Sequence, residues 1–87
     1  GMEDYQQLKV ISSHVPSGSV IVVDFTYGYW VEYLTGEDIA RKPPLELKPE
    51  YDHVLVLIDK FSRRVPSPPQ GSLKLAETKR YALYELP

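Results

Sequence analysis

The sequence predicts a small α/β domain: a three- to four-stranded mixed sheet, made of two parallel strands and a C-terminal antiparallel hairpin, with two helices against it. Three observations carry this reading. The runs Val20-Ile21-Val22-Val23 and Val54-Leu55-Val56-Leu57-Ile58 are continuously apolar, as strands covered on both faces are. The segment between them opens with helical spacing, so a right-handed βαβ crossover joining parallel strands is the natural connection. Residues 72–86 alternate apolar and polar around a short polar turn, which reads as a hairpin.

Composition bounds the possibilities. The 87 residues make one domain, which buries roughly 60% of its unfolded surface and has a thin core. With 43% hydrophobic and 25% charged residues, the chain is globular rather than disordered. Its net charge is −2, with acids and bases interspersed; without a basic stripe, nucleic acid is not an expected partner. The absence of cysteine excludes a disulfide scaffold, a thiolate zinc site and a cysteine nucleophile. No apolar run approaches the ~18 residues a membrane helix needs, and no signal peptide is visible. Gly1-Met2 has the form of a cloning remnant, so the chain is expected to be either a whole small protein or a soluble piece of a larger one.

Residues 3–15 read as an amphipathic helix. Tyr5, Leu8, Ile11 or Ser12, and Val15 share a face, while Glu3 and Asp4 in the first turn and His14 in the last suit the helix dipole. Pro16-Ser17-Gly18 ends it. Residues 19–24 form the first strand, with Asp24 at its carboxyl end. Residues 27–35 form a second helix, with Tyr27, Trp30, Val31 and Leu34 on one face and Tyr29 and Tyr33 on a neighbouring one. Thr26 is its candidate N-cap and Gly36 its C-cap. Glu37 to Arg41 extend as a short helical turn that Lys42-Pro43-Pro44 stops. Residues 43–52 are expected to be a surface loop, His53 to Ile58 the second strand, and residues 61–71, with Arg63, Arg64 and Pro66-Ser67-Pro68-Pro69-Gln70-Gly71, an exposed loop. Ser72 to Ala76 and Arg80 to Leu86 pair around Glu77-Thr78-Lys79.

The chemistry-bearing candidates gather around residues 24–33. Asp24 and Asp59 end the two strands expected to be parallel, where ligands of open α/β sheets bind. Two carboxylates there suit a metal ion or acid/base work; equally, each suits capping the turn that follows it. Tyr27, Tyr29, Trp30 and Tyr33 suit either sugar stacking or a protein interface. At helical spacing Tyr27 and Trp30 belong to the core, leaving Tyr29 and Tyr33 as the exposed pair. Gly28 permits close backbone approach of a partner, but neither phosphate-binding glycine pattern is present, so no nucleotide and no cofactor is expected. Lys60, Arg63 and Arg64 make a small basic spot: a solvated loop, or a contact for phosphate or lipid head groups if the domain sits near a membrane.

The segments Val15-Pro16-Ser17-Gly18-Ser19-Val20-Ile21-Val22-Val23-Asp24 and Tyr27-Gly28-Tyr29-Trp30-Val31-Glu32-Tyr33-Leu34-Thr35-Gly36 resemble the soluble region that follows the membrane helices in polytopic glycosyltransferases using lipid-linked sugars. The likeness is greatest to the catalytic subunit of oligosaccharyltransferase, whose Trp-Trp-Asp-Tyr-Gly motif has a degenerate counterpart at Asp24-Phe25-Thr26-Tyr27-Gly28. Tyr51 to Lys60 and Tyr81 to Leu86 resemble that region's second strand and terminal hairpin. The resemblance implies a non-catalytic domain on the extracytoplasmic side of a membrane. Its partners would be the membrane core of such an enzyme, an acceptor peptide or a glycan, met through Asp24, Thr26, Tyr27, Gly28, Tyr29, Trp30 and Tyr33. Two other readings stand beside it: a free-standing interaction module that forms a homodimer through a sheet edge or the Tyr29/Tyr33 face, and a small metal-dependent enzyme built on Asp24 and Asp59.

Overall fold

The computed structural model describes residues 2–24, 28–42 and 44–87. The described chain is an α/β fold of three helices and one five-stranded mixed sheet. In order they are α1 (Met2–Ser12), β1 (Ser19–Val22), α2 (Tyr29–Thr35), β2 (Asp38–Ala40), α3 (Pro44–Leu47) with a 3-10 turn at Lys48–Glu50, β3 (His53–Asp59), β4 (Leu73–Glu77) and β5 (Tyr81–Glu85). The sheet order is β2-β1-β3-β5-β4. β1 is parallel to both β2 and β3, with Ile21 opposite Ile39 on one side and Leu55 on the other. β5 is antiparallel to β3 and β4, and a bulge lies between Lys74 and Ala76 of β4.

The period-2 geometry of the strands sorts their side chains onto two faces. On one face Ile21, Val23, Leu55, Leu57, Tyr81 and Leu83 meet Leu8 and Ile11 of α1 and Val31 of α2 in the main core. On the other, Val20, Val54 and Leu86 meet Leu47 in a smaller cluster. Cover on both faces is why Val20–Val22 of β1 and Val54–Ile58 of β3 are apolar at every position. Of the face expected for the first helix, Leu8 and Ile11 are buried, and Val15, beyond the last helical turn, packs at the edge of the core.

Two expectations are corrected. Residues 37–41 are not a helical turn: Asp38–Ala40 is an added parallel strand. Gly36 closes α2 as expected, at φ 72°, donating its N–H to the Glu32 carbonyl at 2.8 Å. That left-handed residue reverses the chain onto the open edge of β1, where ladder bonds and burial of Ile39 outweigh one more turn of helix. Residues 44–50, expected as loop, contain α3 and the 3-10 turn, because Leu47 has the second face of the sheet to cover.

One turn near the amino end of β1 is unusually tight. Gly18, at φ 79°, accepts hydrogen bonds from the backbone N–H groups of Asp52 (3.1 Å) and His53 (3.3 Å) and donates its own N–H to Glu37 Oε1 at 2.7 Å. It therefore ties together the starts of β1, β2 and β3. A Cβ there would stand 2.7 Å from Asp52 Oδ2.

Candidate functional site: an aromatic face at the carboxyl end of the parallel strands

Because β1 and β3 are parallel, the segments that follow them leave the sheet at the same end. α2 begins there and runs back toward Gly36, and the N-terminal turn of α1 lies beside it. Trp30 is the centre of this region. Its ring meets Tyr5 edge-on at 5.6 Å and 79°, lies near-parallel to Tyr29 at 5.6 Å and 30°, and meets Tyr33 edge-on at 6.0 Å and 89°. These offset and edge-to-face arrangements are the ones the ring quadrupoles favour. Together the four rings line a shallow, open, largely apolar depression of about 410 Å³.

Exposure separates the aromatics from the core. Tyr29 is 58% exposed and Tyr33 75%, as the spacing predicts for that pair. Trp30, expected in the core, is 38% exposed. The reason is angular. Successive helical residues are about 100° apart, and the buried direction of α2 is set by Val31 and Leu34. Trp30 lies at the border of that direction, so its ring leaves the core and is held by Tyr5 across the α1–α2 seam. Lys9 places its ammonium 5.9 Å from the Tyr5 ring centroid, and Glu32 is an exposed acid on the same helix as Tyr29, Trp30 and Tyr33. Gly28, buried at the N-cap of α2, has φ −59° and ψ −21° and accepts the Val31 N–H at 2.9 Å; no side-chain cap is present there. Thr26 and Tyr27 lie outside the described residues.

The two strand-end aspartates part company. Asp24 is exposed. Asp59 is 4% exposed and committed to Arg80, which donates Nε to Oδ1 at 2.9 Å and Nη2 to Oδ2 at 2.8 Å; Asp59 Oδ1 also accepts the Phe61 N–H at 2.9 Å. Arg80 further donates Nη1 to Asp4 Oδ2 at 2.7 Å, and its backbone N–H goes to Gln7 Oε1 at 2.7 Å. A bidentate fork–carboxylate pair thus fastens the hairpin turn to the end of β3 and to α1. Asp59 caps the turn after its strand, and among the described residues no cluster of three or more His, Asp or Glu stands ready for a metal ion. At the opposite end of the sheet His53 Nδ1 is 2.6 Å from Glu85 Oε2, far from the aromatic face in the chain's layout.

Two contributors escaped sequence reading. The helical spacing places Tyr5 on the core face of α1, whereas its ring sits at the edge of that face against Trp30; its position one turn before Leu8 is the signal for a boundary residue. Arg80 offered no signal, since its carboxylate partners lie 76 and 21 residues away. What the arrangement can do is bind: it offers ring faces flanked by Tyr hydroxyls and an indole N–H. Comparison with known protein families, with curated proteins and with solved structures finds no match for this chain.

Proposed function

We propose that this domain is a non-catalytic binding module, the soluble part of an oligosaccharyltransferase-like membrane glycosyltransferase, and that its aromatic face receives an extended acceptor peptide. The observation that supports the binding role is the open depression walled by Tyr5, Tyr29, Trp30 and Tyr33. Large apolar rings left in water at one spot, each with a polar edge, are the composition of peptide-recognition grooves. The link to the transferase is supported by the residue pattern of 15–36 alone. In this reading the catalytic groups reside in the membrane core, and the domain supplies a surface.

Trp30 is the only tryptophan, so its emission reports on the site directly. Titration with a short Asn-Ala-Thr acceptor peptide bearing apolar flanks is expected to shift that emission saturably, and Tyr33→Ala is expected to weaken the response about tenfold, as loss of one aromatic wall of a binding groove does. An emission unchanged up to millimolar peptide would sink the peptide reading. A second reading, favoured by the exposure of Tyr29 and Tyr33, has the same face covered by another copy of the chain. It predicts a concentration-dependent dimer that Tyr33→Ala disperses.

A further inference from the structure

The loop that follows β3 at this same end of the molecule has a construction that the peptide face does not explain. Phe61 is 58% exposed and Val65 50%, and Arg63 and Arg64 between them are exposed as well. An exposed phenylalanine is ordinarily free to fold down against the surface. Here it is fixed in place while more than half exposed: its backbone N–H is bound by the buried Asp59 carboxylate, and its ring stacks on the Arg80 guanidinium at 5.6 Å. The loop is fastened at both ends, through Ser62 N–H to the Asp59 carbonyl (3.2 Å) and Ser72 N–H to the Pro69 carbonyl (3.1 Å). Pro66, Pro68 and Pro69 restrict the backbone between.

The charges at this end are distributed unevenly. Lys60 pairs with Glu77 at 2.7 Å, and Arg80 pairs with Asp4 and Asp59. Arg63 and Arg64 make no ion pair among the described residues, so the loop tip presents two guanidinium groups between an exposed ring and an exposed aliphatic side chain. The α2 face differs, since Glu32, an exposed carboxylate, belongs to the same helix as its rings.

We propose that the loop Phe61–Val65 docks this domain on the surface of an anionic lipid bilayer, with Phe61 and Val65 entering the interface and Arg63 and Arg64 meeting lipid phosphates. Aromatic side chains settle at the headgroup level, and arginine pairs with phosphate bidentately. A preformed loop loses little conformational entropy on contact. The exposed Glu32 carboxylate on α2 is repelled by an anionic bilayer and keeps that helix out of it, so the aromatic depression stays open beside the lipid surface. The net charge of −2 does not oppose the contact strongly, because charges farther than about 8 Å from the surface are screened at physiological salt. The proposal deepens the reading of a membrane-enzyme domain but stands on the loop, not on the peptide site.

The test is cosedimentation of the purified chain with vesicles of phosphatidylcholine, with and without phosphatidylglycerol. Binding is expected to the mixed vesicles, to fall with salt, and to be at least tenfold weaker with phosphatidylcholine alone. The double variant Arg63→Gln/Arg64→Gln is expected to lose about 30-fold, a factor near five for each cation at an anionic surface. Phe61→Ser and Val65→Ser lose affinity for both vesicle types; far-UV circular dichroism confirms that each variant is folded. Absence of wild-type binding to the mixed vesicles at low salt overturns the proposal. So does binding that the loop variants leave unchanged, or that Tyr33→Ala abolishes in their place. The peptide titration on Trp30 is run without lipid, so failure there leaves vesicle binding to be read separately.

Discussion

Arg80→Met strands a carboxylate. In the folded chain the Asp59 side chain is 6% exposed and the Arg80 side chain 20%, and the two charges satisfy each other through two hydrogen bonds of 2.9 and 2.8 Å. Removing the guanidinium takes from Asp59 its neutralising cation and both of those hydrogen bonds at once, which leaves a buried charge under-compensated. Breaking such a pair from one side costs about 3–5 kcal/mol, of a total stability on the order of 5–10 kcal/mol for a domain this small. The bond to Asp4, half-exposed, adds under about 1 kcal/mol. Urea denaturation followed by the emission of Trp30 measures the loss directly, and the melting temperature is expected to fall by about 15–30 °C. The decisive comparison is the double variant Arg80→Met/Asp59→Leu. Replacing both charges by apolar groups strands neither, so it recovers most of the loss that Arg80→Met alone incurs. A single variant that loses less than about 1 kcal/mol, or a double variant no more stable than Arg80→Met, would refute the claim that an uncompensated Asp59 charge is the cause.

Three further outcomes follow from particular contacts. Gly36→Ala, in open space but at φ 72°, costs about 1–2 kcal/mol from left-handed backbone alone, and Gly18→Ala costs more, because the Asp52 carboxylate must also swing away; urea midpoints in that order check the ranking. The Glu77 carboxyl is held down at about 2 by its hydrogen bond to Lys60 and then by that to Lys74. A depressed carboxylate contributes stability above its unfolded pKa that is lost as pH falls through its folded one. The advantage of wild type over Glu77→Gln in thermal melts is therefore constant above about pH 4.5 and closes as pH falls toward about 2; a gap that persists at the acid end contradicts the assignment. Tyr33→Ala, at a site 75% exposed, changes stability by less than about 0.5 kcal/mol while weakening the peptide response of Trp30, so a large drop in melting temperature would show that the ring is structural.

What the sequence determined by itself was the frame. The β-branched run at Val20–Val23 and the apolar run at Val54–Ile58 state their burial locally, because a strand covered on two faces has no polar position to spare. The helical spacing of Leu8 and Ile11, the closing glycine at 36 and the alternation after Ser72 carry the same kind of information, since each is a repeat or a backbone requirement readable within a few residues. Tertiary structure decided the rest. Asp38–Ala40 became a strand because β1 had an open edge beside it, a fact no three-residue window contains. Trp30 left the core because the direction of burial along α2 depends on where α1 lies. Arg80 found Asp4 and Asp59 across 76 and 21 residues of chain. Local periodicity encodes how much of a segment is buried, whereas the partner that meets each side chain is chosen by packing, and the aromatic face and the anchoring of Phe61 both belong to that second kind of choice.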